Sequence, residues 1–212
     1  MARTVSDWLL PFPVIPVVVA DRPDVASDLA FALDDGGVSC AEITLRTPRA
    51  LEVLATMTAK APPGFVVGAG TVLDVDQVDR AADAGASFIV SPGFDDEVVE
   101  RARTRGLEVL PGVATATEVQ RARRAGLSAV KLFPADLLGG RSAIDALAAV
   151  FAGIGFVPSG GVGAHNAADY LAHPAVPSVS GSWLAPRAEI DAGDLSRVAE
   201  RGRAAMQDRI MP

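Results

Sequence analysis

The feature that most constrains this chain is a regular alternation of short apolar runs with alanine-rich amphipathic stretches. Stretches such as "DVDQVDRAADAGA" and "DDEVVERARTRG" have a helical pattern, and several helices are predicted to stop at a glycine, as at Gly85, Gly106 and Gly126. Near-continuous apolar strands separated by helices are typical of a parallel sheet covered by helices. The runs predicted to be strands are residues 14–20, 40–45, 65–72, 88–93, 107–113, 128–135, 155–162 and 176–184.

The number of these runs selects the architecture. Eight strand–helix units close a (β/α)8 TIM barrel, and a chain of 212 residues lies near the short end of that fold's size range. The alternative is a doubly wound open sheet, which usually has a glycine-rich turn after its first strand, whereas here the first run leads into "VVADRPD". The sequence therefore predicts an α/β barrel with a short N-terminal extension. No linker-like segment divides it, so residues 1–212 are predicted to form one domain.

Composition narrows the range of partners. A formal net charge of −7 argues against nucleic acid or an anionic membrane as the partner and fits a protein that handles small molecules. Cys40 is the only cysteine, which excludes an internal disulfide and a cysteine-based metal site. His165 and His173 belong to no metal-spaced cluster, so no metal is predicted. The hydrophobic N-terminal segment is broken by prolines and does not resemble a signal peptide, so we expect a cytoplasmic protein.

Charged residues stand at the ends of two predicted strands. Glu42, Thr44 and Arg46 alternate with aliphatic residues in "AEITLR", and a period of two places all three on one face. Helices cover the outer face of a barrel, so this polar face is predicted to point inward. Lys131 would share the interior, on the same face of its strand as Phe133. The alternatives are a functional site, which clustering at the catalytic end favours, and a purely structural ion cluster.

Lys131 is unusual for this chain. Basic residues total 19, yet only Lys60 and Lys131 are lysines, and Lys131 lies between Val130 and Leu132. Arginine stays charged everywhere, whereas a desolvated lysine can lose its proton and act as a nucleophile. The residue type therefore predicts a chemical role that arginine could not fill.

Glycine and hydroxyl residues follow three other predicted strands. Gly68, Gly70 and Thr71 end the third, which is a weak signal, because glycine in a barrel strand often only relieves crowding. The loops after the seventh and eighth strands are the usual phosphate site of a barrel, and ordinary tight turns are the alternative. The residues predicted to expose N–H or hydroxyl groups there are Gly160, Gly161, Gly181 and Ser182.

Two long stretches resemble a known family. "GVSCAEITLR" (37–46) and "GLSAVKLFPADLLGG" (126–140) are similar to the signatures of the 2-keto-3-deoxy-6-phosphogluconate (KDPG) and 4-hydroxy-2-oxoglutarate (KHG) aldolases. The shorter "GAGTVL", "SPG", "PGV", "GG" and "GSWL" follow in the family's order, so the resemblance covers nearly the whole chain. It implies a class I aldolase, a cytoplasmic homotrimer of the Entner–Doudoroff pathway without a cofactor, which cleaves KDPG to pyruvate and glyceraldehyde 3-phosphate. KHG, cleaved to pyruvate and glyoxylate, is a further substrate that it implies.

The resemblance also implies roles for individual residues. Lys131 would form the Schiff base with pyruvate, Glu42 would transfer protons, and Arg46 and Thr71 would hold the pyruvate carboxylate. The pocket walls would be Pro92 and Phe133, and the phosphate and aldehyde-derived half of the substrate would meet Ser159, Gly160, Gly161, Gly181 and Ser182. The chain departs from the family at Asp136, where relatives often have Glu, and at Ser159, where some have Thr.

The chemistry of carbon–carbon bond cleavage explains why residue 131 is a lysine. Cleavage of a carbon–carbon bond beta to a ketone leaves a carbanion, and a protonated imine, which only a primary amine can form, accepts those electrons. Other readings stay open at this point: a 6-phosphogalactonate-type aldolase, a barrel isomerase or epimerase acting on a sugar phosphate, and a silent phosphosugar-binding protein. The isomerase or epimerase leaves Lys131 without a task.

Overall fold

A computed structural model describes residues 7–207; residues 1–6 and 208–212 of the predicted domain lie outside the described residues. Strands and helices alternate, as the sequence predicts. The strands are β1 (Val14–Val18), β2 (Cys40–Thr44), β3 (Val66–Gly70), β4 (Phe88–Val90), β5 (Glu108–Leu110), β6 (Gly112–Val113), β7 (Ala129–Leu132), β8 (Gly155–Pro158) and β9 (Val179–Gly181). The helices are α1 (Ala26–Asp35), α2 (Ala50–Lys60), α3 (Val75–Asp83), α4 (Asp96–Thr104), α5 (Ala116–Arg124), α6 (Arg141–Val150), α7 (Ala167–Leu171), α8 (Arg187–Ala192) and α9 (Val198–Gln207).

The strands form two parallel sheets. One has the order β5-β4-β3-β2-β1-β9, so the last strand pairs with the first, and the other has the order β6-β7-β8. The predicted α/β alternation and parallel pairing are confirmed. The single eight-stranded ladder expected from the sequence is divided, because the fifth predicted run holds two strands separated by Pro111.

The two sheets meet at two junctions. Pro111 has no N–H to donate to a ladder, but its carbonyl accepts the backbone N–H of Lys131 at 2.9 Å. Gly112 follows it because a Cβ there would lie 2.7 Å from the backbone nitrogen of Gly93 and against the Pro92 carbonyl. At the other junction a single parallel bridge joins Ser159 to Ser180.

Side chains alternate between two apolar layers. Val130 and Leu132 of β7 belong to the large cluster that packs beneath the helices, whereas Ala129 points into a separate inner cluster. The alternation predicted for this strand is confirmed, and Lys131 therefore points inward. The inner cluster consists of Leu9, Ile15, Cys40, Phe88, Val90, Leu110, Ala129 and Val157.

The connections at the carboxyl ends of the strands are fixed by helix caps. The Asp74 and Asp95 side chains accept the N–H groups of Gln77 and Val98, and Thr115 forms a capping box at the start of α5. At the opposite helix ends the predicted glycine stops have positive φ angles of 92° at Gly85, 72° at Gly106 and 76° at Gly126. Within residues 7–207, no helix is long and apolar enough to cross a membrane.

Candidate active site

A cavity of about 320 Å³ opens where the strands end. All the residues predicted to bind the pyruvate end of the substrate line it, and so does Ser159. Two grooves of about 430 Å³ on the outer surface are larger, but neither contains a lysine. The lining consists of Val17, Glu42, Thr44, Arg46, Thr71, Pro92, Lys131, Phe133 and Ser159.

Lys131 and Glu42 form the charged centre of this cavity. The Lys131 Nζ lies 3.3 Å from Glu42 Oε1, and the two side chains are only 8% and 1% exposed. Such burial is costly for either polar group alone, so the contact between them offsets part of that cost. The amine also lies 5.6 Å from the centre of the Phe133 ring, which shields it from one side. This places the predicted nucleophile beside the predicted proton carrier.

Two further residues fix the Glu42 side chain. The Ser180 hydroxyl lies 3.4 Å from Glu42 Oε2, within donating distance of that oxygen. Gly70 leaves the space that the carboxylate occupies, because a Cβ there would come within 2.6 Å of Glu42 Cδ and closer still to Oε1. The sequence reasoning missed Ser180. The sequence feature that could have revealed it is a serine at every second position, Ser178, Ser180 and Ser182, in an otherwise apolar run.

Arg46 lies at the mouth of the cavity. The expectation that it shares the enclosed interior is wrong, because β2 ends at Thr44 and Arg46 lies exposed in the following turn. Its backbone N–H donates to the Thr44 carbonyl at 2.8 Å, which turns the chain outward. Within the described part of the chain, the Arg46 guanidinium makes no ion pair, so its donors are available to an anion in the cavity.

Thr71 stands opposite this turn with an unusual backbone. Its φ is +57°, and it is the one non-glycine residue with a positive φ in residues 7–207. A left-handed conformation costs a β-branched residue about 1–3 kcal/mol and is found most often at functional sites. It directs the Thr71 side chain into the cavity lining beside Arg46.

Other polar residues nearby have structural roles. The Thr44 hydroxyl donates to the Val18 carbonyl at 3.0 Å, so it is already engaged. Burial, reinforced by the negative charge of Glu42, raises the pKa of the Cys40 thiol well above its usual range, so Cys40 acts as a small, inert buried residue. His173 pairs with Asp145 at 3.0 Å, outside this cavity, in one of the surface grooves.

The predicted phosphate residues lie after β8 and β9 and are not among those that line the cavity. Gly160 and Gly161 both have positive φ angles, 86° and 83°, which glycine adopts without strain. The Gly161 carbonyl accepts the Asn166 side-chain amide at 3.0 Å, whereas the Gly161 N–H donates to no group within residues 7–207. Gly181 is buried against Trp183, and Ser182 is exposed.

This arrangement is typical of the class I aldolases, lyases that hold a keto acid as an imine on a lysine. The family model described as "KDPG and KHG aldolase" matches residues 5–201. The chain belongs to the KDPG and KHG aldolase family, as its motifs predict.

Individual relatives agree with this assignment. The 2-dehydro-3-deoxy-phosphogluconate aldolase of Treponema pallidum (strain Nichols) is 44% identical over 204 residues, which are 96% of this chain and 97% of the relative. A structure of KDPG aldolase from Legionella pneumophila, with pyruvate captured at low pH as a covalent carbinolamine intermediate, is similar with a TM-score of 0.89 and 35% identity, over 93% of this chain and 95% of that one. The KDPG aldolase of Zymomonas mobilis ZM4, solved with 3-phosphoglycerate, gives a TM-score of 0.87 and 39% identity, over 96% of both chains.

Proposed function

We propose that this protein is a class I aldolase that reversibly cleaves KDPG to pyruvate and glyceraldehyde 3-phosphate. The observation that carries the proposal is the buried pair of Lys131 and Glu42, 3.3 Å apart, beside Arg46, whose side chain makes no ion pair within residues 7–207. An isomerase or a silent binding protein has no need of a lysine in this position. KHG, which lacks the phosphate, is the second substrate, and the family's description favours it.

The keto acid end of the substrate fits the mouth of the cavity. Arg46 offers guanidinium donors and Thr71 a hydroxyl, and together they bind the carboxylate. This directs the neighbouring C2 carbonyl inward to the Lys131 amine. Pro92 and Phe133 form the walls that exclude water around the reacting carbon.

The reaction follows from this placement. The Lys131 amine attacks C2, and loss of water from the carbinolamine leaves a protonated imine. Glu42 then accepts the proton of the C4 hydroxyl while the C3–C4 bond breaks, and the bonding electrons pass into the imine to give an enamine. The aldehyde leaves, Glu42 returns that proton to C3 of the enamine, and hydrolysis of the resulting imine releases pyruvate and the free amine.

The aldehyde-derived half extends toward the loops after β8 and β9. Ser159 contacts the middle of the chain, and the phosphate meets backbone N–H groups of this glycine-rich region and the Ser182 hydroxyl. Gly161 supports this, because its N–H has no protein acceptor in the described range and its carbonyl is held by Asn166. Gly160 and Gly181 let the chain approach the phosphate closely.

The architecture that we propose for the enzyme is one closed eight-stranded barrel comprising residues 1–212. β5 and β6 then act as one strand bent at Pro111, and the bridge between Ser159 and Ser180 closes the ring. We further propose a cytoplasmic homotrimer. The apolar side chains of Leu73 and Leu137, 57% and 84% exposed in loops after β3 and β7, support it because association would cover them. Measurement of the mass in solution tests the trimer.

Reductive trapping tests the proposed activity. Borohydride added with pyruvate should convert Lys131 to a stable secondary amine that peptide mapping can locate. Lys60 is the internal control, because it is exposed at the end of α2 and should remain unmodified. Lys131→Arg keeps the positive charge but should abolish both trapping and cleavage. Label on Lys60 alone, or no label on the wild type, would contradict the proposal.

The substrate is identified by comparing kcat/KM for KDPG, its unphosphorylated form, KHG and the 6-phosphogalactonate analogue. A preference for KDPG over its C4 epimer is expected. Equal values for the phosphorylated and unphosphorylated acids would mean that the glycines after β8 and β9 are only turns.

A further inference from the structure

Ser180, on β9, makes a second contact to the buried carboxylate. Its side chain is completely buried on β9, and its hydroxyl lies 3.4 Å from Glu42 Oε2, while Lys131 faces Oε1. Among residues 7–207, these are the two hydrogen bonds that the Glu42 carboxylate accepts. Each carboxylate oxygen is therefore held by a different residue.

The sheet register fixes the position of this hydroxyl. Ser180 lies beside Ile15 of β1 and, through the bridge between the sheets, beside Ser159. Ile15 belongs to the inner apolar cluster and is itself buried. No charged donor lies next to the hydroxyl on β9, and an apolar neighbour strengthens its bond to the carboxylate. At 3.4 Å the contact is long, as catalytic hydrogen bonds often are before the substrate binds.

The contact matters because the other donor changes during the reaction. The Lys131 ammonium group has three N–H donors, whereas the protonated imine and the enamine each keep one. The Ser180 hydroxyl is not consumed at any step. We propose that Ser180 is a positioning residue that holds the Glu42 carboxylate in its proton-transferring orientation after Lys131 has become an imine. This inference rests on the proposed aldolase chemistry and adds a residue to it.

The proposal predicts effects on proton transfer rather than on capture of the keto acid. Ser180→Ala should lower kcat for KDPG cleavage about tenfold, the lower end of what one hydrogen bond to a charged group contributes. The KM should change little, because Arg46 and Thr71 are untouched.

The chain provides a matched control in Ser178. This residue is also completely buried and lies two positions earlier on the same run, but within the described part of the chain its hydroxyl donates only to the neighbouring Val179 carbonyl, at 3.5 Å. Ser178→Ala removes the same oxygen from the same kind of environment without touching Glu42. Its kcat should equal that of the wild type.

The deciding experiment separates imine formation from proton transfer, with pyruvate as the only ligand. Borohydride trapping at saturating pyruvate reports the imine, and deuterium incorporation into the pyruvate methyl group in D₂O reports proton removal. Ser180→Ala should trap pyruvate to the wild-type extent but exchange the methyl protons about tenfold more slowly. Ser180→Cys, which is slightly larger than serine and carries a weaker donor, should behave like Ser180→Ala and serves in its place if alanine prevents folding.

The outcomes are distinguishable. Wild-type exchange rates in both Ser180 variants, or the same loss in Ser178→Ala, would overturn the positioning role. Loss of trapping in the Ser180 variants would also overturn it, because the defect would then lie in imine formation. Failure of the wild type itself to trap pyruvate would instead contradict the proposed function.

Discussion

Adding a single methyl group at Gly70 tests whether the position of the Glu42 carboxylate limits the rate of the reaction. It ends β3 directly beside the Glu42 side chain. A Cβ added to Gly70 would lie 2.5 Å from Glu42 Cγ and 2.6 Å from Cδ, where ordinary contacts begin at 3.4 Å. The methyl group of Gly70→Ala would therefore occupy space that the carboxylate now fills.

The expected magnitude follows from these distances. Relief of the contact requires Glu42 Cγ to move from 2.5 to 3.4 Å, a displacement of about 0.9 Å. A misplacement of about 1 Å in a catalytic group can cost roughly 10²-fold in rate. The backbone of Gly70 has no positive φ, and the end of a glutamate side chain can rotate. We therefore expect kcat to fall about 10²-fold while the fold is retained.

The assay measures cleavage of KDPG, together with the melting temperature, for Gly70→Ala and for Gly93→Ala. Gly93 is the matched control, because a Cβ there meets no atom within 4 Å and its φ is not positive. Gly93→Ala should have wild-type kcat. Near-native turnover in folded Gly70→Ala would refute the reasoning, since it would show that the position of Glu42 does not limit the rate.

Four further predictions concern other parts of the site. Glu42→Gln keeps the shape but cannot carry a proton, so kcat should fall about 10²–10⁴-fold in a steady-state assay while borohydride still traps pyruvate. Ser182→Ala should lower kcat/KM for KDPG at least tenfold and leave kcat/KM for KHG unchanged, because only KDPG has a phosphate that accepts a hydrogen bond from the Ser182 hydroxyl. Gly112→Ala should destabilise the protein by about 1–3 kcal/mol in urea titration, because its Cβ meets the rigid Pro92 carbonyl rather than a movable side chain. A chelator should leave the rate of cleavage unchanged, since the imine is the electron sink; a rate restored only by added metal would contradict this.

The sequence could predict the strands and the faces of their side chains, because both are local properties. A period of two along "AEITLR" and "SAVKLF" places Glu42 and Lys131 on inward faces whatever the rest of the chain does. The rarity of lysine in this chain indicated a chemical role for Lys131. The family motifs indicated that this role is formation of a Schiff base. The helix stops at glycine were equally local.

Only the tertiary structure could decide how these side chains meet. Lys131 and Glu42 are separated by 89 residues, and Ser180 and Glu42 by 138, so their contacts depend on sheet register. The sequence pattern predicted that the inward and outward alternation of β2 continues to Arg46. The strand ends earlier, and the following turn places Arg46 at the mouth of the cavity. Periodicity specifies the direction of a side chain on its own strand. The distance to a partner on another strand depends on long-range pairing, and no local pattern encodes it.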